Sequence, residues 1–364
     1  MKNRENALDL LRILSAILVI GTHVYTISYH AVSAVYSETG VLSASVLYYK
    51  AFRLLAEAAV CVFFMLSGAF IVASRSTADF GSFYKKTWKR LGIPTILFSV
   101  FYFFEHIFVM NVSGQLAEYE NPFSVSVQSV LLRTAQGKPE DHLWYMFCLI
   151  GIYLICPFVA LFKNAVSEKT FKRMIWIVYI WGTASNLVQN PEYYWSIGLC
   201  AGMLGIFLLG YLAHEWGLRL KASHSRFAGG FLLLPGLFIV GLALLTDLYL
   251  HKVFVALART SPYNPFFPLA AFFFVAAFTS MDLKTDFGRL SAPTLWVYLL
   301  HPVIMNLVLI AESKLLSVSF WELGADDPVL LPNLNFVLIT VLSFALSMLL
   351  ERLLKRRRAG RLTA

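Results

Sequence analysis

Long apolar runs, separated by short polar segments, dominate the pattern along this chain. Each run has about 20 residues, the length that an α-helix needs to cross the hydrocarbon core of a bilayer. The pattern therefore predicts an all-α polytopic membrane protein with ten transmembrane helices in a single transmembrane domain over residues 1–364. The predicted spans lie near 8–28, 52–74, 91–111, 143–163, 174–189, 195–214, 227–249, 262–281, 292–312 and 331–351.

The composition agrees with a location in the membrane. Apolar residues make up 58% of the 364 residues and charged residues 14%, whereas a soluble domain has about 25% charged residues. The first run lacks the small-residue cleavage site of a signal peptide, so we expect an uncleaved span. The four cysteines lie within apolar segments, and we expect them to be small core residues rather than disulfides or zinc ligands.

Positive charges set the expected orientation. With a cytoplasmic N-terminus, 22 of the 30 Lys and Arg residues lie on the cytoplasmic side, seven lie outside and Arg12 lies within the first span. Because Lys and Arg concentrate in cytoplasmic loops, we expect both termini in the cytoplasm, with residues 352–364 as a basic tail. The net charge of +9 then reflects topology and contact with membrane lipids, not nucleic-acid binding. Outer loops at about 29–51 and 112–142 would shape a substrate entrance.

The first span carries three ionisable residues in the stretch "LDLLRILSAILVIGTH" (8–23). Such residues are costly in hydrocarbon and often mark function. Eleven residues at about 100° each make three turns plus about 20°, so Arg12 and His23 share one helix face, about 16 Å apart along the axis. Asp9 precedes Arg12 by three residues and can pair with it. A buried structural pair with an interfacial histidine is the other interpretation of this pattern.

Four cations precede the third span in "FYKKTWKRLGIPT" (83–95). They are either positive charge that marks the cytoplasmic side or a site for the phosphates of a nucleotide-bearing cosubstrate. We expect Pro94 near the start of the third helix, where proline is tolerated.

Further polar and aromatic residues fall at the ends or inside of predicted spans. Trp144 and Tyr145 fit an interfacial aromatic belt, and His301 fits an interhelical hydrogen bond, so neither position requires chemistry. The candidates for acceptor binding or support are Asp9, Glu57, Ser67, His142, Trp144, Tyr145 and His301.

These stretches, in this order, resemble the membrane acyltransferase-3 family. In that family an arginine, ten residues and a histidine stand in the first of ten spans, after a segment like "DLLR" (9–12). Lys86 and Lys89 stand where many members have two arginines three apart, which makes a bidentate phosphate contact less secure, although Arg90 is adjacent. The other matching stretches are "VFFMLSGAFI" (62–71), "KTWKRLGIP" (86–94), "HLWYMFCLIGIYLICP" (142–157) and "VYLLHP" (297–302).

The resemblance implies an acyl-CoA-dependent O-acyltransferase of a bacterial cytoplasmic membrane. It implies transfer of an acyl group, acetyl or succinyl, from cytoplasmic acyl-CoA to a hydroxyl of an extracytoplasmic or lipid-linked glycan. His23 would be the general base, while Arg12, Lys86, Lys89 and Arg90 would hold the donor. Direct transfer and an acyl-histidine intermediate both stay open. We expect no tightly bound cofactor and no metal. With no esterase-like domain after the tenth span, the compact, glycan-acylating branch of the family is expected.

Two other function classes stay open. A proton-coupled transporter or flippase of a polysaccharide or glycolipid intermediate could also use intramembrane His and Arg, but the sequence shows no paired inverted repeats. A non-catalytic membrane scaffold leaves ionisable residues in costly positions unexplained. The sequence does not fix the acceptor glycan or the oligomeric state.

Overall fold

A computed structural model describes residues 5–112, 132, 141–188, 196–223, 228–250, 264–316 and 329–360. Every regular element within these ranges is a helix, which confirms the all-α prediction for this part of the chain. Most of the expected outer loop at 112–142 and the last residues of the basic tail lie outside the described residues. In chain order the helices are α1 (Asn6–Val24), α2 (Thr26–Thr39), α3 (Ala44–Ala73), α4 (Phe80–Thr87), α5 (Ile93–Val112), α6 (Trp144–Ala165), α7 (Glu168–Val188), α8 (Ser196–Ala222), α9 (Ala228–Tyr249), α10 (Phe266–Ser280), α11 (Gly288–Ser291), α12 (Thr294–Leu316) and α13 (Leu330–Gly360).

Almost all described residues of the ten predicted spans are helical, and the first of these spans includes parts of both α1 and α2. Among the residues that the structure describes, seven helical segments are long and apolar enough to cross a membrane, and α10 is a shorter apolar helix of 15 residues. Helices α7 and α8 carry the two remaining predicted spans. The chain is therefore a multi-pass membrane protein, whereas the count of ten spans and the orientation of the termini stay predictions. The seven segments are Asn6–Val24, Ala44–Ala73, Phe80–Val109, Trp144–Ala165, Gly229–Tyr249, Thr294–Leu316 and Leu330–Arg356.

The described residues form two compact units. The first contains those of Met1–Ala59, Val109–Leu116 and Asp282–Ala364, and the second contains those of Val60–Phe108 and Ala117–Met281. Helix α3 thus contributes its first half to one unit and its second half to the other. The expectation of a single transmembrane domain stays a prediction.

Helix α1 is at the centre of the first unit, where it packs against α2, α11, α12 and α13. Leu8, Leu11, Ser15 and Val19 are all buried along it. Their spacing of i, i+3, i+7 and i+11 places them on one helix face, as an amphipathic pattern requires. Helices α12 and α13 also pack against each other in this unit.

Most of the expected outer loop at 29–51 is helical rather than irregular, while its place outside the membrane stays a prediction. Helix α2 begins at Thr26, directly after a break at Tyr25, and α3 begins at Ala44, eight residues before the expected start of the second span. Tyr25, Val32, Val46 and Tyr49 form a buried cluster, and burial of such side chains stabilises each by roughly 1.5–3 kcal/mol. The helical spacing of Tyr25, Tyr29, Val32 and Tyr36 was the signal for α2 in the sequence.

The second unit contains the paired helices α7 and α8, together with α9 and α10. Helix α10 contacts both α8 and α9, and nine of its 15 residues are buried. Helix α6 packs against α4 and against the 3₁₀ turn Arg75–Ala78. In the same unit Cys61 and Cys156 are buried, as expected for small core residues.

Two glycines allow close backbone contact within the second unit. A Cβ atom at Gly68 of α3 would lie 1.7 Å from the carbonyl oxygen of Phe207 of α8. A Cβ atom at Gly210 of α8 would lie 1.9 Å from the carbonyl oxygen of Met65 of α3. Both distances are far inside van der Waals contact, so neither position accepts a larger residue without separation of the two helices.

The basic segment before the third span differs from the prediction. Pro94 does not stand at a helix start, because α4 continues through a π-helical turn, Trp88–Gly92, into α5. The backbone N–H of Ile93 donates to the carbonyl of Trp88, five residues earlier. Proline lacks an N–H and crowds the preceding turn of an α-helix, and the wider π-turn accommodates both effects. A Cβ atom at Gly92 would lie 2.4 Å from the Trp88 ring, so the indole can occupy this position only because residue 92 has no side chain.

Candidate active site

Asp9 connects the start of α1 to the segment before α12. Arg12 Nη1 donates to Asp9 Oδ1 at 3.2 Å, the i, i+3 pair that the sequence predicts. The hydroxyl of Ser291 donates to the same carboxylate oxygen. Asp9 and Ser291 are buried, with 7% and 2% of their surface exposed. A buried carboxylate with two donors is well compensated, so it can hold the Arg12 guanidinium in one orientation.

His23, in the last turn of α1, lies beside His301 of α12. The two ring centroids are 5.1 Å apart, with the ring planes inclined by 48°. His301 is fully buried, whereas His23 is only half-buried. The structure thus brings together two histidines that are 278 residues apart in the sequence, and it leaves His23 as the more accessible of the two.

The neighbouring proline determines the hydrogen bonding of His301. Pro302 has no N–H, so the carbonyl of Tyr298, four residues earlier, lacks its usual helical donor. His301 Nδ1 lies 2.8 Å from that oxygen and 3.3 Å from the carbonyl oxygen of Val297. Because a carbonyl can only accept, Nδ1 carries the proton of the neutral ring and Nε2 carries the lone pair.

Helices α1 and α12 run in the same direction. Asp9 contacts Ser291 near their starts, and His23 contacts His301 further along both. A neutral imidazole such as that of His23 can accept a proton from a hydroxyl and, once protonated, return it to a leaving group. Helix α1 therefore carries Arg12 near its start and His23 in its last turn, and α12 supplies the second imidazole beside His23.

A polar aromatic cluster follows His23 directly, and the sequence interpretation missed it. The hydroxyls of Tyr25 and Tyr48 donate to Asn333 Oδ1 of α13, at 2.7 and 2.8 Å. The Tyr25 ring also packs edge-on against Phe52 of α3, with ring centroids 4.9 Å apart. A Cβ atom at Gly21 would lie 2.3 Å from the same Phe52 ring, so α1 and α3 lie close together at the level of the histidines.

Glu57 is the remaining acidic candidate in the first unit. It lies half-buried on α3, one turn after Arg53, whose guanidinium is 4.6 Å from the centre of the Tyr29 ring. That distance is typical of a cation–π contact. Glu57 therefore belongs to the same unit as the histidine pair, and a role for it stays a prediction.

The predicted donor cations Lys86, Lys89 and Arg90 belong to the second unit and are exposed. Lys86 lies in the last turn of α4, whereas Lys89 and Arg90 lie within the π-turn. Arg12 belongs to the first unit, so a donor site built from all four cations stays a prediction.

The other candidates also belong to the second unit. His142 is buried, and its ring packs edge-on against Tyr102 of α5, with centroids 4.7 Å apart. Tyr145 packs against Phe64 at 4.6 Å, and Trp144 lies 6.2 Å from the same ring. Ser67 is half-buried on α3, beside the close contact at Gly68. The described residues contain no group of three or more His, Cys, Asp or Glu that could hold a metal ion.

Comparison with known proteins gives one family. A model of the acyltransferase-3 family, described as "Acyltransferase domain", matches residues 5–352 of the chain. The matched range includes Arg12, His23 and His301. The description of this family supports an enzyme activity of the acyl-transfer type.

One curated relative has a different name. An "Amino-acid racemase" of Enterococcus faecalis is 25% identical over 382 residues, which cover 99% of this chain and 48% of that protein. The chain thus spans about half the length of the curated relative it matches. No solved structure matches the chain.

Proposed function

The chain belongs to the acyltransferase-3 family, and we propose that it moves an acyl group from cytoplasmic acyl-CoA to a hydroxyl of an extracytoplasmic or lipid-linked glycan. The observation that carries this proposal is the arrangement on α1: Arg12 held by Asp9 at one end, and His23 beside His301 at the other. The Arg12 guanidinium suits an anionic donor, and the His23 imidazole suits proton transfer to and from oxygen and sulfur.

In the proposed reaction His23 is the general base. A neutral His23 accepts the proton of the attacking hydroxyl, whose oxygen forms a bond to the thioester carbonyl carbon. The carbon–sulfur bond then breaks, and the protonated imidazole returns the proton to the departing CoA thiolate. Such acid–base assistance contributes typically about 10²–10⁴ in rate. A route through an acyl-histidine intermediate uses the same ring as nucleophile.

His301 serves as a positioning residue in this scheme. Its Nδ1 proton is committed to backbone carbonyls, so its orientation does not change with the state of His23. A fixed neighbouring ring restricts the orientation of the His23 ring, and such preorganisation lowers the cost of reaching the reactive geometry.

The donor is proposed from the match between its negative charge and the exposed cations of the chain. Lys86, Lys89 and Arg90 are exposed cations of the second unit and suit the phosphates of CoA. Acetyl-CoA and succinyl-CoA are both suitable donors. We place the protein in a bacterial cytoplasmic membrane, in contact with its lipids. The name of the racemase relative describes a protein about twice as long, so we do not extend racemisation to this chain.

The first test measures donor binding in purified protein in nanodiscs. Acetyl-CoA, succinyl-CoA and free CoA should each raise the unfolding temperature in a saturable way. Arg12→Ala should weaken this stabilisation, and His23→Ala should leave it largely intact while acyl transfer is lost. If none of the three compounds stabilises the protein, the acyltransferase assignment is overturned, because a transporter of glycan intermediates has no reason to bind acyl-CoA.

A further inference from the structure

A network of ion pairs joins the start of α7 to the end of α8 in the second unit. Lys172 donates to Glu168 and, at 2.8 Å, to Glu215, and Arg219 donates to the same two carboxylates. The hydrogen bond from Lys172 holds the pKa of Glu168 below its ordinary value. Two acids thus offset two bases, and the network leaves no net charge.

An open groove of about 460 Å³ lies over this network. Its lining includes two more cations, Lys169 and Arg173, which are exposed and make no ion pair or hydrogen bond with the residues that the structure describes. The groove therefore has a net positive charge of about two from these side chains. Trp176 also lines the groove.

The two cations begin a stripe along α7. Lys169, Arg173, Trp176 and Ile180 follow the spacing i, i+4, i+7 and i+11, which keeps them on one helix face. Beyond the cations this face is apolar and open, since Trp176, Ile177 and Ile180 are 41%, 66% and 60% exposed. An uncompensated positive pair therefore lies directly before an uncovered apolar face, with an indole between them.

We propose that this groove binds an anionic glycerophospholipid. Its headgroup phosphate lies between Lys169 and Arg173, the glycerol backbone lies at Trp176, and one acyl chain follows Ile177 and Ile180. Basic pockets beside transmembrane helices bind anionic headgroups, and tryptophan favours the interface level. A nucleotide phosphate would use the same cations, but it would leave the apolar stripe uncovered. This site uses none of the residues that we propose for acyl transfer.

The test titrates phosphatidylglycerol into the full-length protein in a neutral detergent and counts bound lipids by native mass spectrometry. Each Lys or Arg near an anionic surface contributes roughly fivefold in affinity, so Lys169→Gln should raise the apparent Kd about fivefold and K169Q/R173Q about 30-fold. The matched control is R75Q/K284Q, which removes one Arg and one Lys from exposed positions elsewhere. This control variant should retain wild-type affinity for phosphatidylglycerol. Phosphatidylcholine should show no saturable binding to the wild type or to any variant. Circular dichroism checks that each variant keeps its helical content.

Three results would overturn the proposal. Equal weakening in both double variants would indicate diffuse attraction to the whole basic surface. Equal affinity for phosphatidylcholine would remove the role of charge. Saturable binding of ADP that K169Q/R173Q abolishes, with lipid binding unchanged, would assign the groove to a nucleotide instead.

Discussion

The imidazole of His301 donates to the backbone carbonyl of Tyr298 at 2.8 Å, in place of the N–H that Pro302 lacks. One proline thereby fixes which nitrogen of a buried histidine carries the proton. The centre of the His301 ring is 5.1 Å from that of His23, so the tautomer is defined at the position where we propose proton transfer. This relationship gives the first two predictions.

Replacement of Pro302 with alanine restores a backbone N–H that competes with His301 for the Tyr298 carbonyl. A typical hydrogen bond contributes about 0.5–1.5 kcal/mol net, so we expect acyl transfer to fall by about two- to tenfold. The measurement is the rate of acyl transfer from radiolabelled acetyl-CoA to membrane glycans. Donor binding should not change, and an unaltered rate would contradict a role for the fixed tautomer.

The two histidines should differ in their effect on the reaction. His23→Gln removes the proposed base and should reduce kcat by about 10²–10⁴. His301→Gln removes only the neighbour that orients it, so we expect a smaller loss and a shifted pH–rate profile. His30→Gln is the matched control, because His30 is an exposed histidine of α2. Equal rates for His23→Gln and wild type would show that another residue is the base.

Ser291 should stabilise the start of α1 through Asp9. Ser291→Ala removes one donor from a buried carboxylate, and a hydrogen bond to a charged group contributes about 1.5–3 kcal/mol. We expect a lower free energy of unfolding and a weaker effect of acyl-CoA on stability, because Arg12 depends on the same carboxylate. Ser37→Ala, at an exposed serine that donates to its own helix, should change neither. Thermal unfolding with and without acetyl-CoA measures both effects.

Gly68→Ala should be strongly destabilising. The added methyl group would lie 1.7 Å from the Phe207 carbonyl oxygen, and relief of such overpacking costs about 1–3 kcal/mol or more. Gly151→Ala is the matched control, since a Cβ there would have no described atom within 4 Å apart from the backbone of its own helix, and alanine favours a helix by about 0.5–1 kcal/mol. Comparison of their unfolding temperatures tests the close contact of α3 with α8, which similar values would disprove.

Local patterns in the sequence were sufficient for the all-helical class, for most of the long helices and for the Asp9–Arg12 pair. Apolar runs of bilayer length identify helices, because burial of the backbone in lipid requires internal hydrogen bonds. Residues three apart on a helix meet whatever the tertiary structure is. The sequence alone was therefore sufficient to predict the first helix and the pairing of its charged residues.

Contacts between distant segments were not accessible in this way. His23 and His301 meet only because α1 and α12 pack in parallel, and Ser291 reaches Asp9 for the same reason. Short-range patterns carry no information about which helices become neighbours. Two differences have local causes. The segment 29–51, expected as a loop, has helical spacing over most of its length, and Pro94, expected near a helix start, follows a π-turn that continues α4 into α5.

The π-turn at Trp88–Gly92 sets the rotational register of everything that follows in α5. An α-helix turns by about 100° per residue, and a π-turn accommodates one residue more than an α-turn within the same stretch. Deletion of one residue here would convert it to regular α-helix and rotate the faces of α4 and α5 against each other by about one residue's angle. The direction in which α5 presents Tyr102 to the His142 ring therefore depends on the π-turn, which ends ten residues earlier. The extra residue of this turn rotates α5 without ending the helix.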